Sequence, residues 1–146
     1  MGRFKSPDEF KQIFDLLFET LSKDLEVGPK LRAAKTAQRF VITDLDLVLN
    51  VKDSDARRAA TGQNLVWVWG DKKRKWEPVV TMEMSSEVAN RYFQGKENVP
   101  LDLARGIIVL KSGEMARVLD LLPIVAPFHK KWVAKLKAEA LHQFVC

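Results

Sequence analysis

Side chains able to do covalent chemistry are sparse in this 146-residue sequence. It holds two histidines, His129 and His142, and one cysteine, Cys146. A three-histidine metal site, a cysteine-rich zinc site and an internal disulfide are therefore excluded. No G-x-S-x-G, P-loop, H-E-x-x-H or G-x-G-x-x-G pattern occurs, which removes the best-known hydrolase, NTPase, metalloprotease and dinucleotide signatures. Asp44/Asp46 and Asp53/Asp55 are carboxylate pairs at i, i+2, but both fall at strand ends or turns, where acids act as solvated caps. His129 is the polar oddity, because a helical wheel places it in the apolar arc of Phe128, Trp132, Leu136 and Ala140. It reads either as a semi-buried histidine near a helix start or as a polar group that meets a ligand's head. With no partner in view it makes no catalytic dyad. The sequence thus points to no catalytic residue, no metal and no cofactor.

The charge is more informative by place than by total. Lys and Arg number 24 against 19 Asp and Glu, a net +5. Residues 111–146 carry six of the bases and three of the acids, so most of the excess sits in the last quarter of the chain. There Lys130, Lys131, Lys135 and Lys137 group opposite the apolar arc of the last helix, as in a helix that shows one face to water or anionic headgroups. At about 1 kcal/mol per lysine, that face would give at most about 4 kcal/mol of membrane docking. Lys72-Lys73-Arg74-Lys75, between Trp69 and Trp76, reads as a solvated hairpin tip or as a contact for nucleic acid or membrane. Residues 1–11 lack the apolar run of a secretory signal, and no stretch has the roughly 18 apolar residues of a membrane span. A cytoplasmic protein without a nucleic-acid partner is the expectation.

These groups must be positioned by a small set of elements. Ser6-Pro7-Asp8-Glu9 reads as a capped helix start. Phe10, Ile13, Phe14, Leu17, Phe18, Leu21 and Leu25 then form one apolar face, ended by Gly28-Pro29. A short helix over about 30–38 is weakly signalled. Alternating and β-branched runs predict strands at 40–43, 45–51, 65–69, 79–84 and 106–111. Short connections favour antiparallel pairing of the early strands. Ser85-Ser86-Glu87 opens a helix closed by Gly95. A further helix covers 114–122, with Met115, Val118, Leu119 and Leu122 on one side. Pro123 and Pro127 break the chain before a last helix from Phe128 to about Gln143. The expected fold class is α+β, in one domain over 1–146.

Eight Phe, four Trp and four Met are many large or adaptable apolar side chains for so short a chain. An ordinary packed core would explain them. The stretch from Val79 to Leu122 adds a second explanation. Val80-Thr81-Met82-Glu83-Met84-Ser85, then Val88-Ala89, Tyr92-Phe93-Gln94-Gly95-Lys96 and Leu101-Asp102-Leu103-Ala104-Arg105-Gly106, resembles the sterol carrier protein (type two) family. Ile107–Ser112, Gly113 and an amphipathic helix with Leu119 and Leu122 continue the likeness, and the earlier strands fit its sheet order. The resemblance implies a five-stranded, mostly antiparallel sheet with helices on one face, enclosing an apolar tunnel. It also implies non-catalytic binding and transfer of a lipid: a fatty acid, acyl-CoA, phospholipid or sterol. Phe14, Phe18, Leu21, Met82, Met84, Phe93, Met115, Leu119, Trp132 and Leu136 are the expected lining, with Arg105 as a partner for an anionic head or a plain surface arginine. Two alternatives stand beside it. One is a partner-binding module of the same fold whose tunnel is filled; the other is a small-molecule pathway enzyme using His129 or Arg105.

Overall fold

The computed structural model describes residues 3–146; Met1 and Gly2, the first two residues of the segment read for a secretory signal, lie outside the described residues. Helix α1 (Pro7–Lys23) starts where its cap is made, with Ser6 Oγ accepting from the Glu9 amide at 3.1 Å. Glu9 reaches back one residue further than a capping box requires and accepts from the Lys5 amide. Its buried face is Phe10, Ile13, Phe14, Leu17, Phe18 and Leu21. Leu25 does not join that face: it is 92% exposed.

The first helix ends earlier than the glycine predicts, because Asp24 begins the next one. Its carboxylate accepts from the Glu26 and Val27 amides, and α2 runs Val27–Ala34, not 30–38. Gly28 is therefore inside a helix, at a point of close approach. A β-carbon there would lie 2.6 Å from Asn64 Nδ2 and 2.9 Å from the Ser22 carbonyl oxygen.

Five strands follow: β1 (Gln38–Ile42), β2 (Leu47–Asp53), β3 (Leu65–Trp69), β4 (Val80–Met84) and β5 (Val109–Ser112). They form one mixed sheet in the order β3-β2-β1-β4-β5. Only the central β1–β4 pair is parallel, with Phe40 opposite Met82; β1–β2, β2–β3 and β4–β5 are antiparallel. Residues alternate in strands, so Phe40, Ile42, Leu49, Val51, Leu65, Val80, Met82 and Met84 are buried in the core with the helices. The opposite face is partly covered by the loop after β3. Arg39 holds Asp71 through two bonds of 3.0 and 2.8 Å, and Asn50 Nδ2 donates to the Gly70 carbonyl and to Asp71.

Two helices were not foreseen. Helix α3 (Asp55–Thr61) buries no residue and so has no apolar period to read; Ser54 caps it at the Arg57 amide. Helix α5 (Val99–Arg105) carried its signals in Asn98, Pro100 and Gly106, which the quoted family stretch masked. Between them α4 spans Ser86–Phe93. Asp44, one of the paired acids, binds the Ser86 amide at 2.7 Å and its hydroxyl at 2.6 Å, tying the β1–β2 turn to the start of α4.

Pro123 does not break the chain. Helix α6 runs Met115–Val125 with the proline inside it, exposed, leaving only the Leu119 carbonyl without its helical donor. The buried side of α6 is Val118, Leu121 and Val125, so the expected face is rotated away from Met115. Helix α7 covers Phe128–Ala138, shorter than expected, and Ala140 turns the chain in the left-handed region (φ 58°). A last helical turn, His142–Phe144, then returns to the core.

Candidate functional site

The space between α1 and the sheet is occupied by rings. Phe4 stacks on Phe144 at 5.1 Å, Phe10 on Phe14 at 4.0 Å, and Phe14, Phe18, Phe40 and Tyr92 all approach Phe93 within 5.8 Å. Beyond that column lies a cavity of about 20 Å³, bounded by Phe18, Leu21, Leu31, Phe40, Tyr92 and Phe93 among others. That is room for about one water. Its remaining wall includes Val51, Leu65 and Val125, with Thr36, Gln38 and Asp53 as polar edges.

Tyr92 and Val125 are shared with a second cavity of about 190 Å³, walled also by Val99, Leu122, Glu97 and His129. Burial alone pushes the Tyr92 hydroxyl up to about 12, so it is a neutral group between the two spaces. His129 is in turn shared with an open basin of about 320 Å³ that carries Lys96, Lys130 and Lys137. The three spaces are thus neighbours through shared wall residues: the basin carries three lysines, the middle cavity is mostly apolar with Glu97 and His129 in its wall, and the inner space has Lys52 and Asp53 at its edge.

The polar groups around the middle cavity are held tightly. Gly95 takes φ +75°, and a β-carbon there would stand 2.5 Å from His129 Nδ1. The imidazole therefore packs directly on bare backbone. Burial holds His129 below its ordinary value, so at neutral pH it is an uncharged donor and acceptor. Glu97 pairs with Arg91, which also reaches Glu87. Asp102 is buried, and its Oδ2 has no hydrogen-bond partner among the described residues. Burial, then the hydrogen bond and charge of Glu97, push Asp102 up to about 6, against the opposing pull of Arg91 and Arg105.

Of the expected lining residues, Phe18, Leu21 and Phe93 border the inner cavity. Phe14 packs against Phe93. Met82, Met84, Trp132 and Leu136 are fully buried but border none of these spaces. Leu119 is half-buried, and Arg105 and Met115 are exposed at the ends of α5 and α6. Tyr92 and Val125, the residues that join the cavities, were not among those expected. Tyr92 had a signal in Tyr92-Phe93, two adjacent rings on a short helix that pack edge-on at 4.8 Å.

The four α7 lysines do not share one free face. Lys131 is taken by Asp24 and Glu26 at 3.0–3.2 Å. Lys135 lies in a groove with Leu16, Glu19 and Thr20 of α1. Only Lys130 and Lys137 open onto the basin, beside Lys96. In the basic turn after β3, Arg74 is spent on Asp71 and Glu77. Of the two flanking indoles, Trp69 donates to Asp15 Oδ1, as does Trp67 of the same strand, while Trp76 Nε1 has no partner among the described residues. No group of three or more metal-ligating side chains occurs among the described residues, and none of their helices is long and apolar enough to cross a membrane.

No family model matches the sequence, and no curated relative does. Solved structures do resemble the fold. A ubiquinone synthesis protein, UbiJ-SCP2, superposes with a TM-score of 0.58 at 11% identity, over 83% of this chain and 96% of its own. The sterol carrier protein domain 2 of Helicoverpa armigera gives 0.57 at 16%, over 88% and 96%. The inverting sec-alkylsulfatase Pisa1 from Pseudomonas sp. gives 0.58 at 18% over 86% of this chain, which spans only 17% of the sulfatase. With seven α-helices and a five-stranded mixed sheet among the described residues, the chain has the α+β fold of sterol carrier protein type two domains.

Proposed function

We propose that this chain binds and transfers a lipid without chemistry of its own, as one unit over residues 1–146 acting in the cytoplasm. The observation that carries the reading is the series of cavities: an apolar middle chamber of about 190 Å³ meeting the core space at Tyr92 and Val125. An acyl chain in the middle chamber would advance inward as the Tyr92 and Phe93 rings move aside, and the result would be a tunnel. Val99, Leu122 and Val125 would contact the chain first, and Phe18, Leu21 and Phe93 once it reaches the inner space. Phe14, Met82, Met84, Trp132 and Leu136 would be the packed wall behind it. Each methylene removed from water contributes about 0.8 kcal/mol, so ten give about 8 kcal/mol before the costs of ordering the ligand and displacing the rings. Contact with an anionic membrane surface through the α7 lysines would bring the basin against the headgroups, with Lys131 contributing least because two acids hold it.

Native mass spectrometry of protein taken directly from cells, with displacement of a fluorescent fatty acid, tests this. Co-bound lipid and saturable displacement are expected. A uniformly ligand-free mass with no displacement would refute it. A second reading has its own observation: the interior is filled by the aromatic column, and the space at its centre is only about 20 Å³. A partner-binding module that keeps the fold would show that combination. It predicts a ligand-free mass together with a protein partner that co-purifies.

A further inference from the structure

The two edges of the sheet are finished differently. Strand β3 is packed by α1, α2 and α3, and its indoles are tied to Asp15. Strand β5, at the other edge, packs closely only on β4. Its outer backbone edge therefore carries donors and acceptors with no strand to meet. Five large apolar side chains are exposed among the described residues, and four of them fall in this one stretch: Leu101, Ile107, Val109 and Met115. The same stretch holds exposed charges of both signs, Arg105 and Lys111 against Glu114 and Asp120. None of those four is in an ion pair among the described residues. A basic residue precedes the strand and an acidic one follows it.

We infer that β5 pairs antiparallel with β5 of a second copy of this chain, joining the two sheets across a two-fold axis. Such an axis lays the beginning of one strand beside the end of the other, and here those ends carry opposite charges. Arg105 lies five residues before Leu110 and Glu114 four after it. A pairing that sets Leu110 opposite Leu110 thus brings each arginine to the glutamate of the other copy. The edge also carries guards against indiscriminate pairing: it is 4 residues long, it bears Lys111, and its register on β4 is irregular at Thr81/Met82. They select a register. Setting Lys111 opposite itself would confront two like charges. The Leu110 register instead opposes Val109 to the aliphatic stem of Lys111, whose ammonium reaches water. The strand edge alone falls short of the roughly 1,000 Å² of total buried surface that a specific contact needs, and Ile107 and Met115 extend it with apolar surface beyond its two ends. The dimer is accordingly reversible, and its two solvated ion pairs contribute about tenfold to the dissociation constant at low salt. This pairing is independent of whether the cavities take a lipid.

Sedimentation equilibrium of the full chain, at low and at high salt, tests the inference. The wild type should show a concentration-dependent monomer–dimer equilibrium that weakens as salt rises. Val109→Lys places a second ammonium directly opposite Lys111 and should leave only monomer. Arg105→Glu and Glu114→Arg should each weaken the dimer about tenfold, and the two combined should restore wild-type affinity. All three replaced side chains are exposed, and urea unfolding followed by circular dichroism reports that each variant is folded. A wild type that stays monomeric at every concentration overturns the inference, including the case in which this edge serves an extended segment of another protein. A dimer that Val109→Lys leaves intact overturns it, since the contact would lie elsewhere. A double variant no tighter than the single ones overturns it too, because the two strand ends would not meet.

Discussion

Replacing Asp102 with asparagine should make the protein's stability less dependent on pH, and the size of the effect follows from the site. The buried carboxyl holds its proton up to about 6, against an ordinary aspartate value of 3.8, because burial and the facing Glu97 both disfavour a second negative charge. Between those values the native protein binds more protons than the unfolded chain, so stability falls as pH rises through that window. At 1.36 kcal/mol per pH unit the gap sets a ceiling of about 3 kcal/mol, with the full cost present above pH 6. Asparagine keeps the shape of the side chain and cannot ionise. Asp102→Asn should therefore gain about 1–3 kcal/mol relative to wild type between pH 4 and pH 7. His129 acts in the other direction: its value is depressed by burial, so its contribution is present above the unfolded histidine value and lost as pH falls. It is common to both proteins and cancels in the difference. Urea unfolding of both at pH 4, 5, 6 and 7 provides the measurement. Parallel stability curves would refute the reasoning, showing that the carboxyl pair ionises without cost.

Two further substitutions probe the frame around the cavities. Gly95→Ala combines a left-handed backbone with a β-carbon 2.5 Å from His129 Nδ1, and should cost about 2–4 kcal/mol in thermal or urea unfolding; a change under 0.5 kcal/mol would show that the imidazole moves freely. Ser22→Ala removes a fully buried hydroxyl that accepts from the Leu65 amide at 2.9 Å. It should cost about 1–3 kcal/mol, because that amide is left buried without a partner, and hydrogen exchange at Leu65 should rise; unchanged exchange would mean water replaces the hydroxyl.

The parts of the fold that carry a period were legible before any coordinates. The buried face of α1 and the inward alternation of Phe40, Ile42, Leu49 and Val51 are stripes that burial alone imposes. What failed was punctuation. Gly28 and Pro123 are ordinary helix breakers, yet both lie inside helices. The reasons are tertiary: a glycine is needed against Asn64, and Asp24 supplies a cap from three residues upstream of Val27. Helix α3 has no buried residue, so it left no pattern to find. The candidate site was half legible for a related reason. Phe18, Leu21 and Phe93 could be assigned from apolar spacing, whereas the role of Tyr92 depends on which two spaces it separates, a property of packing that no local pattern encodes. The α7 lysines looked equivalent on a helical wheel because the wheel omits Asp24, Glu26 and the α1 groove that divide them.

The clasp between the two ends of the chain has a consequence for how the molecule is made. Phe144 is buried on Phe4, its carbonyl accepts from Asn90 and Gln94, and Arg3 binds the carbonyls of Gln143 and Val145. Arg3 and Phe4 are synthesised about 140 residues before Phe144, and Asn90 and Gln94 about 50 residues before it. At about 5–20 residues per second, the nascent chain spends several seconds with a ring-lined hollow at its N-terminal end and nothing yet to fill it. During that interval the growing chain presents sticky aromatic surface to any hydrophobic passer-by in the cell, and a ligand or chaperone that occupies the hollow would shield it until residue 144 emerges.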